Sequence, residues 1–233
     1  MPHLIHKREN IQIVQTKPVR YRITTTLLNS WQYIWDCINY VVETENDEIS
    51  KEDKITIAQG KAKADFVNYL NRIPIPDNEN MKLGREYEDK VCSGGDDVFS
   101  PIVEGGAFQV TVTKDVDILG VPITLYGVLD VLKGGRIYDI KRIRKNYKYP
   151  KYKTSHQHGM YLYLVPEALD FTYLMCDDRI DSKNEETRAK AHNTEHYVRE
   201  NTEDIITVCT QFILWLKANN LFDIFIEKWK MKN

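Results

Sequence analysis

The sequence predicts a single mixed α/β (α+β) domain with a central sheet flanked by helices, and three observations carry that prediction. Apolar residues recur at helical spacing in the first ninety or so residues and again after residue 155. Between these stretches, from Ala107, the period changes to two. A chain of 233 residues is long enough for one domain with a substantial core, and no repeat, low-complexity block or Gly/Ser linker divides it.

Leu27, Leu28, Trp31, Ile34, Trp35 and Ile38 share a helical face within residues 24–42, with threonines available as the N-cap. A second helix is expected over Glu52–Leu70, ended by NRIPIPDNEN, whose prolines remove backbone donors. ETENDEISKED, residues 43–53, reads as a solvated loop between the two. A third helix spans Met81–Val91 and breaks at CSGGDD.

FQVTVTKDVDI, VPITLYGVLDVL and RIYDIKRI alternate as strands joined by LG and GG turns, which makes a three-stranded antiparallel meander. HQHGMYLYLVPEAL returns to helical spacing, and DFTYLMCDD is a further strand. RIDSKNEETRAK is a polar loop, HNTEHYVRE is ambiguous but strand-like, and two helices close the chain over about 202–231.

The composition, 42% hydrophobic and 28% charged, is that of a globular protein. MPHLIHKREN lacks the apolar core of a signal peptide and no segment reaches bilayer length, so the expected location is cytoplasmic, in a bacterium or a phage-infected cell, with no membrane partner. Cys37, Cys92, Cys176 and Cys209 stand singly and are expected as buried thiols. The net charge of −2 argues against indiscriminate coating of nucleic acid. Charge is nevertheless concentrated locally: Lys133 to Lys153 holds nine Lys or Arg against one acid, Asp139, with tyrosines interleaved.

The segment YGVLDVLKGGRIYDIKR, residues 126–142, raises a question of electrostatics. With Gly134 and Gly135 as a two-residue turn, Lys133 pairs with Arg136, and three steps further Asp130 lies opposite Asp139. Directly opposed residues have Cβ atoms roughly 4.5–5.5 Å apart, and like charges there need neutralising. A divalent cation would do so. Alternation puts Lys141 on the face of Asp139. A competing reading is a surface ion pair of Asp139 with Lys141 or Arg142, with Asp130 facing solvent.

On the third helix Glu88 follows Gly84 by four residues and shares its face, so the glycine is expected to let the helix approach the sheet while Glu88 reaches toward it. Gln157 and Tyr161 are likewise four apart on the helix after the basic segment, where a surface Gln and a half-buried Tyr would be the ordinary reading. His156 and His158 flank Gln157, where they could touch a phosphate, with exposed polar residues as the default expectation. His192 and His196 have the spacing of a helical zinc pair, but Asn193 stands where the protease motif has Glu, and the surroundings read as strand.

Taken in order, these residues resemble the PD-(D/E)XK nuclease superfamily, in the branch of RecB-like domains and lambda-type exonucleases. The pattern comprises Gly84 with Glu88; GVLD, with Gly127 and Asp130; DIK, Asp139 to Lys141; and QHGMY, Gln157 to Tyr161. TTLLNSWQYIWD looks like the helix that often opens such domains, so the resemblance covers about 24–177. It implies a restriction-endonuclease-like core and magnesium- or manganese-dependent hydrolysis of DNA. Glu88, Asp130, Asp139 and the Ile140 carbonyl would be the metal ligands, and Lys141 the catalytic lysine. Gln157 and Tyr161 would support the lysine and the substrate phosphate.

Asp139 replaces the commoner Glu of the motif, and Glu88 the His of many RecB-like members. The clustered C-terminal cysteines of iron–sulfur relatives are missing, so no cluster is expected. Of the basic run RIRKNYKYPKYK, Arg142, Arg144, Lys145, Tyr147, Lys148 and Lys151 are the expected DNA contacts. The implied setting is recombination, repair or phage DNA metabolism, with DNA and either further copies of the chain or a recombination protein as partners. The alternatives are a DNA-binding module that keeps the fold without cleaving, and a structural protein with a surface hairpin.

Overall fold

The computed structural model describes residues 19–41, 49–143, 152–180 and 188–231. Strand β1 (Tyr21–Thr24) leads directly into helix α1 (Thr25–Asp36), where the Thr24 hydroxyl accepts from Leu27 N and so caps the helix. The long first helix expected from sequence is shorter than the apolar pattern, because its last turn tightens to 3₁₀ geometry over Cys37–Tyr40. Helix α2 (Lys51–Leu70) begins at a Ser50 cap, and α3 (Glu79–Cys92) at an Asn78 cap. A single short turn of helix, α4 (Ser100–Val103), precedes the sheet.

The meander follows as predicted: β2 (Ala107–Ile118), β3 (Val121–Lys133) and β4 (Arg136–Ile143). Both turns carry two residues at positive φ, Leu119–Gly120 and Gly134–Gly135, the twist that two-residue hairpins require. Helix α5 (His156–Leu164) crosses to β5 (Asp170–Ile180), which pairs parallel to β4. Antiparallel β6 (Arg188–Tyr197) completes the sheet, so the ambiguous HNTEHYVRE segment is strand as far as Tyr197 and then turns into a short 3₁₀ helix over Arg199–Asn201. The loop expected over 179–190 is correspondingly shorter, since Arg179 and Ile180 extend β5 and Arg188 to Lys190 begin β6. Helices α6 (Ile205–Ala218) and α7 (Phe222–Lys228) close the chain.

Among the described residues the sheet is six-stranded and mixed, in the order β1-β3-β4-β5-β6 with β2 on the other edge of β3. Helices cover both faces. The larger core gathers Leu27 and Trp31 of α1, Phe66 of α2, Met160 of α5, Phe212 of α6 and Phe225 of α7 against Ile123, Leu125 and Phe171 of the sheet. A smaller core on the opposite face packs Tyr87 and Val91 of α3 and Val103 of α4 against Val131, Ile140 and Leu174. The chain end returns to its beginning: Tyr21 bridges Lys230, and the Trp229 indole donates to the Leu70 carbonyl. No single helix among the described residues is long and apolar enough to cross a membrane. Cys37, Cys176 and Cys209 are buried and outside any disulfide, whereas Cys92 is half-buried.

His156 and His158 overturn the expectation of exposure. They are 7% and 5% exposed, with His158 stacked on Tyr197 at a ring separation of 3.9 Å. Burial lowers both imidazoles from 6.5 to about 4; the charge of His156 lowers His158 further, while Asp36 and Glu195 act in the opposite direction. Both are therefore neutral at pH 7, and the 3.8 Å contact of His156 with Glu203 is no ion pair there. Unfolded imidazoles bind protons that the folded ones refuse, so stability is full above pH 6.5 and falls as the pH drops toward 4. A loss of roughly 3–6 kcal/mol across that window is expected. Urea unfolding at a series of pH values reads it, and His158→Gln should flatten the profile. A profile already flat in the wild type would refute the assignment.

Candidate active site

The site forms where β3 and β4 part. Their pairing runs from Lys133–Arg136 through Leu132–Ile137 to Val131–Tyr138, as the turn arithmetic predicts, and then stops. Beyond it, β1 takes up the same edge of β3, pairing parallel with Ile123–Tyr126. The intervening stretch, residues 127–130, is a fork with no strand beside it on that edge among the described residues. Asp130 and Asp139 are thus not the paired cross-strand residues the sequence suggested. The strands separate one step earlier.

Side chains satisfy the backbone left open in the fork. The Asp130 carboxylate accepts the Ile140 N–H at 2.9 Å, and the Tyr161 hydroxyl donates to the Val128 carbonyl at 2.9 Å. Of the competing surface-pair reading, the Asp139–Lys141 contact is present, but Asp139 is buried and the half-buried Asp130 turns its carboxylate onto β4. Gly127 makes it sterically feasible: a Cβ there would lie 2.5 Å from Cε1 of the Tyr161 ring.

A local irregularity aims Asp130 at the fork. Two residues apart on a regular strand share a face, yet Leu129 packs into the larger core and Val131 into the smaller one. On β2 the residue between their partners is Gln109, with φ of 51°, a left-handed conformation costing a non-glycine residue about 1–2 kcal/mol. Its amide donates to the Glu88 carboxylate, so the strained residue touches one of the predicted acids.

Asp139 and Lys141 share one face of β4, as strand alternation requires. Asp139 is fully buried, and its Oδ2 lies 2.5 Å from Lys141 Nζ, a side chain 29% exposed. That oxygen has the distance of an ion pair without the angles of a hydrogen bond. The Gln157 amide donates to the other oxygen. Gln157 therefore supports Asp139 and Tyr161 supports the β3 backbone. The orientation of α5 is set from α1: Asn29 Oδ1 accepts the His156 N–H at 2.8 Å, and its amide donates to Ser155, the α5 cap, at 3.1 Å.

Electrostatics tie the acids together. Burial, then Asp130, raises Glu88 to about 7 against the opposing pull of Lys141 and Gln109. Burial likewise raises Asp139, with Asp130 and Glu88 adding to the effect and Lys141 opposing it. Burial works against the charge of Lys141, but Asp139 and Asp130 outweigh it and hold the ammonium above its ordinary range. Glu88, Asp130, Asp139 and Lys141 thus share one field, in which burial and the mutual repulsion of the acids oppose the pull of the lysine.

Oxygen donors of this charge suit a hard divalent cation. As they stand, the carboxylates rest on Gln109, the Ile140 N–H, Gln157 and Lys141, and among the described residues no three His, Cys, Asp or Glu side chains are gathered into a finished metal cage.

Other predicted positions fare unevenly. An added Cβ at Gly84 would meet nothing within 4 Å, so this glycine does not serve a close approach of α3 to the sheet. Arg142 is half-buried near the end of β4, and Arg144, Lys145, Tyr147, Lys148 and Lys151 lie outside the described residues. His192 and His196 sit on β6, where His192 faces Asp97 at 3.6 Å and His196 meets Thr172 at 3.1 Å. Asn29 and Gln109 were missed. A polar residue within the apolar pattern of α1 was the available signal for the first, and none announces the second.

The fold and site define a mixed α/β protein with an acid–lysine cluster at a strand fork. No family model matches the chain, and no curated protein does. Among solved structures, it is similar to SSO0001, with a TM-score of 0.47 and 11% identity over 93% of this chain and 91% of that one. It is also similar to LHK-Exo in complex with dAMP, with a TM-score of 0.45 and 14% identity over 88% of this chain and 92% of that one.

Proposed function

We propose that this protein is a magnesium- or manganese-dependent deoxyribonuclease, exonucleolytic in action, working in recombination, repair or phage DNA metabolism. The observation that carries the proposal is the pairing of buried Asp139 with Lys141 beside a fork in which Asp130 grips the backbone of the same strand, β4. These residues stand in the order that the resemblance to PD-(D/E)XK nucleases requires.

Glu88, Asp130, Asp139 and the Ile140 carbonyl would hold the ion, which when bound supplies an acidified water and offsets charge developing on the phosphate. Lys141 keeps its proton against burial, so its ammonium is available to orient that water and to face the phosphoryl oxygens. Gln157 fixes the rotation of Asp139, and Tyr161 holds the fork open by occupying the carbonyl that a neighbouring strand would otherwise take. Arg142 and the basic residues after it would neutralise the DNA backbone, giving binding that weakens steeply with salt.

The test is incubation with linear and covalently closed DNA. Linear DNA should be degraded with magnesium or manganese and spared with excess chelator, while closed circles persist. Degradation of circles would replace the exonuclease with an endonuclease, and intact linear DNA under every metal condition would overturn the proposal.

A further inference from the structure

The kink at Gln109 belongs to two strands at once. By register Gln109 stands opposite Asp130, and theirs is the one pair that the β2–β3 ladder skips, between Phe108–Val131 and Val110–Leu129. On each strand the faces exchange at this point. Phe108 borders a cleft with Val91 and Cys92 of α3, on the side of the smaller core, whereas Val110, two residues on, packs against the larger one. Val131 and Leu129 divide in the same way. Regular strands keep residues two apart on one face, so the skipped pair is where both strands turn over.

Such a turn does not in itself call for glutamine. Glycine takes a positive φ without steric cost, and asparagine is enriched there, yet the residue at φ 51° is Gln109. What glutamine adds is reach: its amide spans from the edge strand to α3 and donates to the Glu88 carboxylate. Among the described residues this is the hydrogen bond that Glu88 makes, and the half-buried carboxylate lies close enough to Asp130 and Lys141 to feel the charge of both. A glutamate side chain has several rotamers to lose when it takes a ligand, and an amide that already holds it lowers that entropic cost.

We propose that Gln109 is a positioning residue for Glu88, and that the left-handed kink is retained because it carries the amide that holds this carboxylate beside Asp130 and Lys141. The inference takes from the nuclease reading that Glu88 is a metal ligand. It adds a residue outside the ordered pattern on which that reading rests, contributed by an edge strand that supplies none of the proposed ligands.

Gln109→Gly and Gln109→Asn separate the backbone from the amide. Both residues take the left-handed conformation at less cost, so Tm should stay within about 2 °C of the wild type or rise. Glycine has no amide, and that of asparagine falls one methylene short of Glu88. Calorimetric titration with manganese should therefore show binding weakened about tenfold in each, the lower end of the roughly 10–100-fold range for residues that orient a metal ligand. On a Glu88→Ala background the same substitutions should change manganese binding less than about twofold, because the amide then has nothing to hold. Cleavage should follow, the variants needing more manganese and regaining most of the wild-type kcat at saturation. Unchanged manganese binding in both single variants, or a loss as large without Glu88 as with it, overturns the positioning role and leaves the nuclease reading standing. If the wild type neither binds manganese nor cuts DNA, both fall.

Discussion

Lys141→Met is expected to lower the turnover of DNA cleavage by roughly 10²–10³-fold with little change in KM. The magnitude is that of removing one preorganised group aimed at charge that develops only in the transition state, and such a group acts on kcat because it contributes little to ground-state binding. Methionine retains most of the volume, so packing around β4 should survive. The remaining concern is Asp139, which loses its cation. Burial already favours its neutral form, and without Lys141 that preference strengthens, so the carboxyl protonates instead of unfolding the sheet. The sign of the consequence is definite. With the folded-state pKa raised above the unfolded one, the folded form binds the extra proton, and stability of the variant declines as pH rises. Steady-state kinetics with urea unfolding at pH 6 and pH 8 checks both parts. Wild-type turnover in the variant would remove Lys141 from the chemistry.

The residues that carry the fold were legible where the signal is local. The three meander strands, their two turns and α2, α3, α5, α6 and α7 follow from period and capping, which neighbouring residues determine. Strand β1 was not legible, because YRIT is four residues long and becomes a strand only through parallel pairing with Ile123–Tyr126 about a hundred residues away. The same limit applies within the site. Turn arithmetic gave the β3–β4 register correctly for three pairs, yet no count along a hairpin reveals where two strands diverge. That point is set by β1 arriving on the same edge and by α5 inserting Tyr161 against Gly127. The left-handed Gln109 and the histidines buried on α5, His156 against Trp31 and His158 against Tyr197, are likewise products of packing. What the sequence could supply was the identity of the acids and the lysine, since residue type in a fixed order survives ignorance of geometry.

Asp130 separates structure from chemistry in one position, and its two substitutions should diverge. Asparagine keeps an oxygen that can accept the Ile140 N–H, so Asp130→Asn should fold with near wild-type stability. Alanine removes that acceptor and leaves a β4 donor unsatisfied in the fork, at a cost of about 1–3 kcal/mol. For a chain of this length that corresponds to a fall in Tm of roughly 2–4 °C per kcal/mol. Activity should not follow stability. Both variants lose a carboxylate from the proposed ligand set, so both should lose on the order of 10³-fold in metal-dependent cleavage. A manganese titration should show weaker binding in each, to a similar degree, whatever their difference in Tm. Full activity in Asp130→Asn would mean that the aspartate serves the fork alone, and unchanged stability in Asp130→Ala would mean that its bond to β4 holds nothing in place.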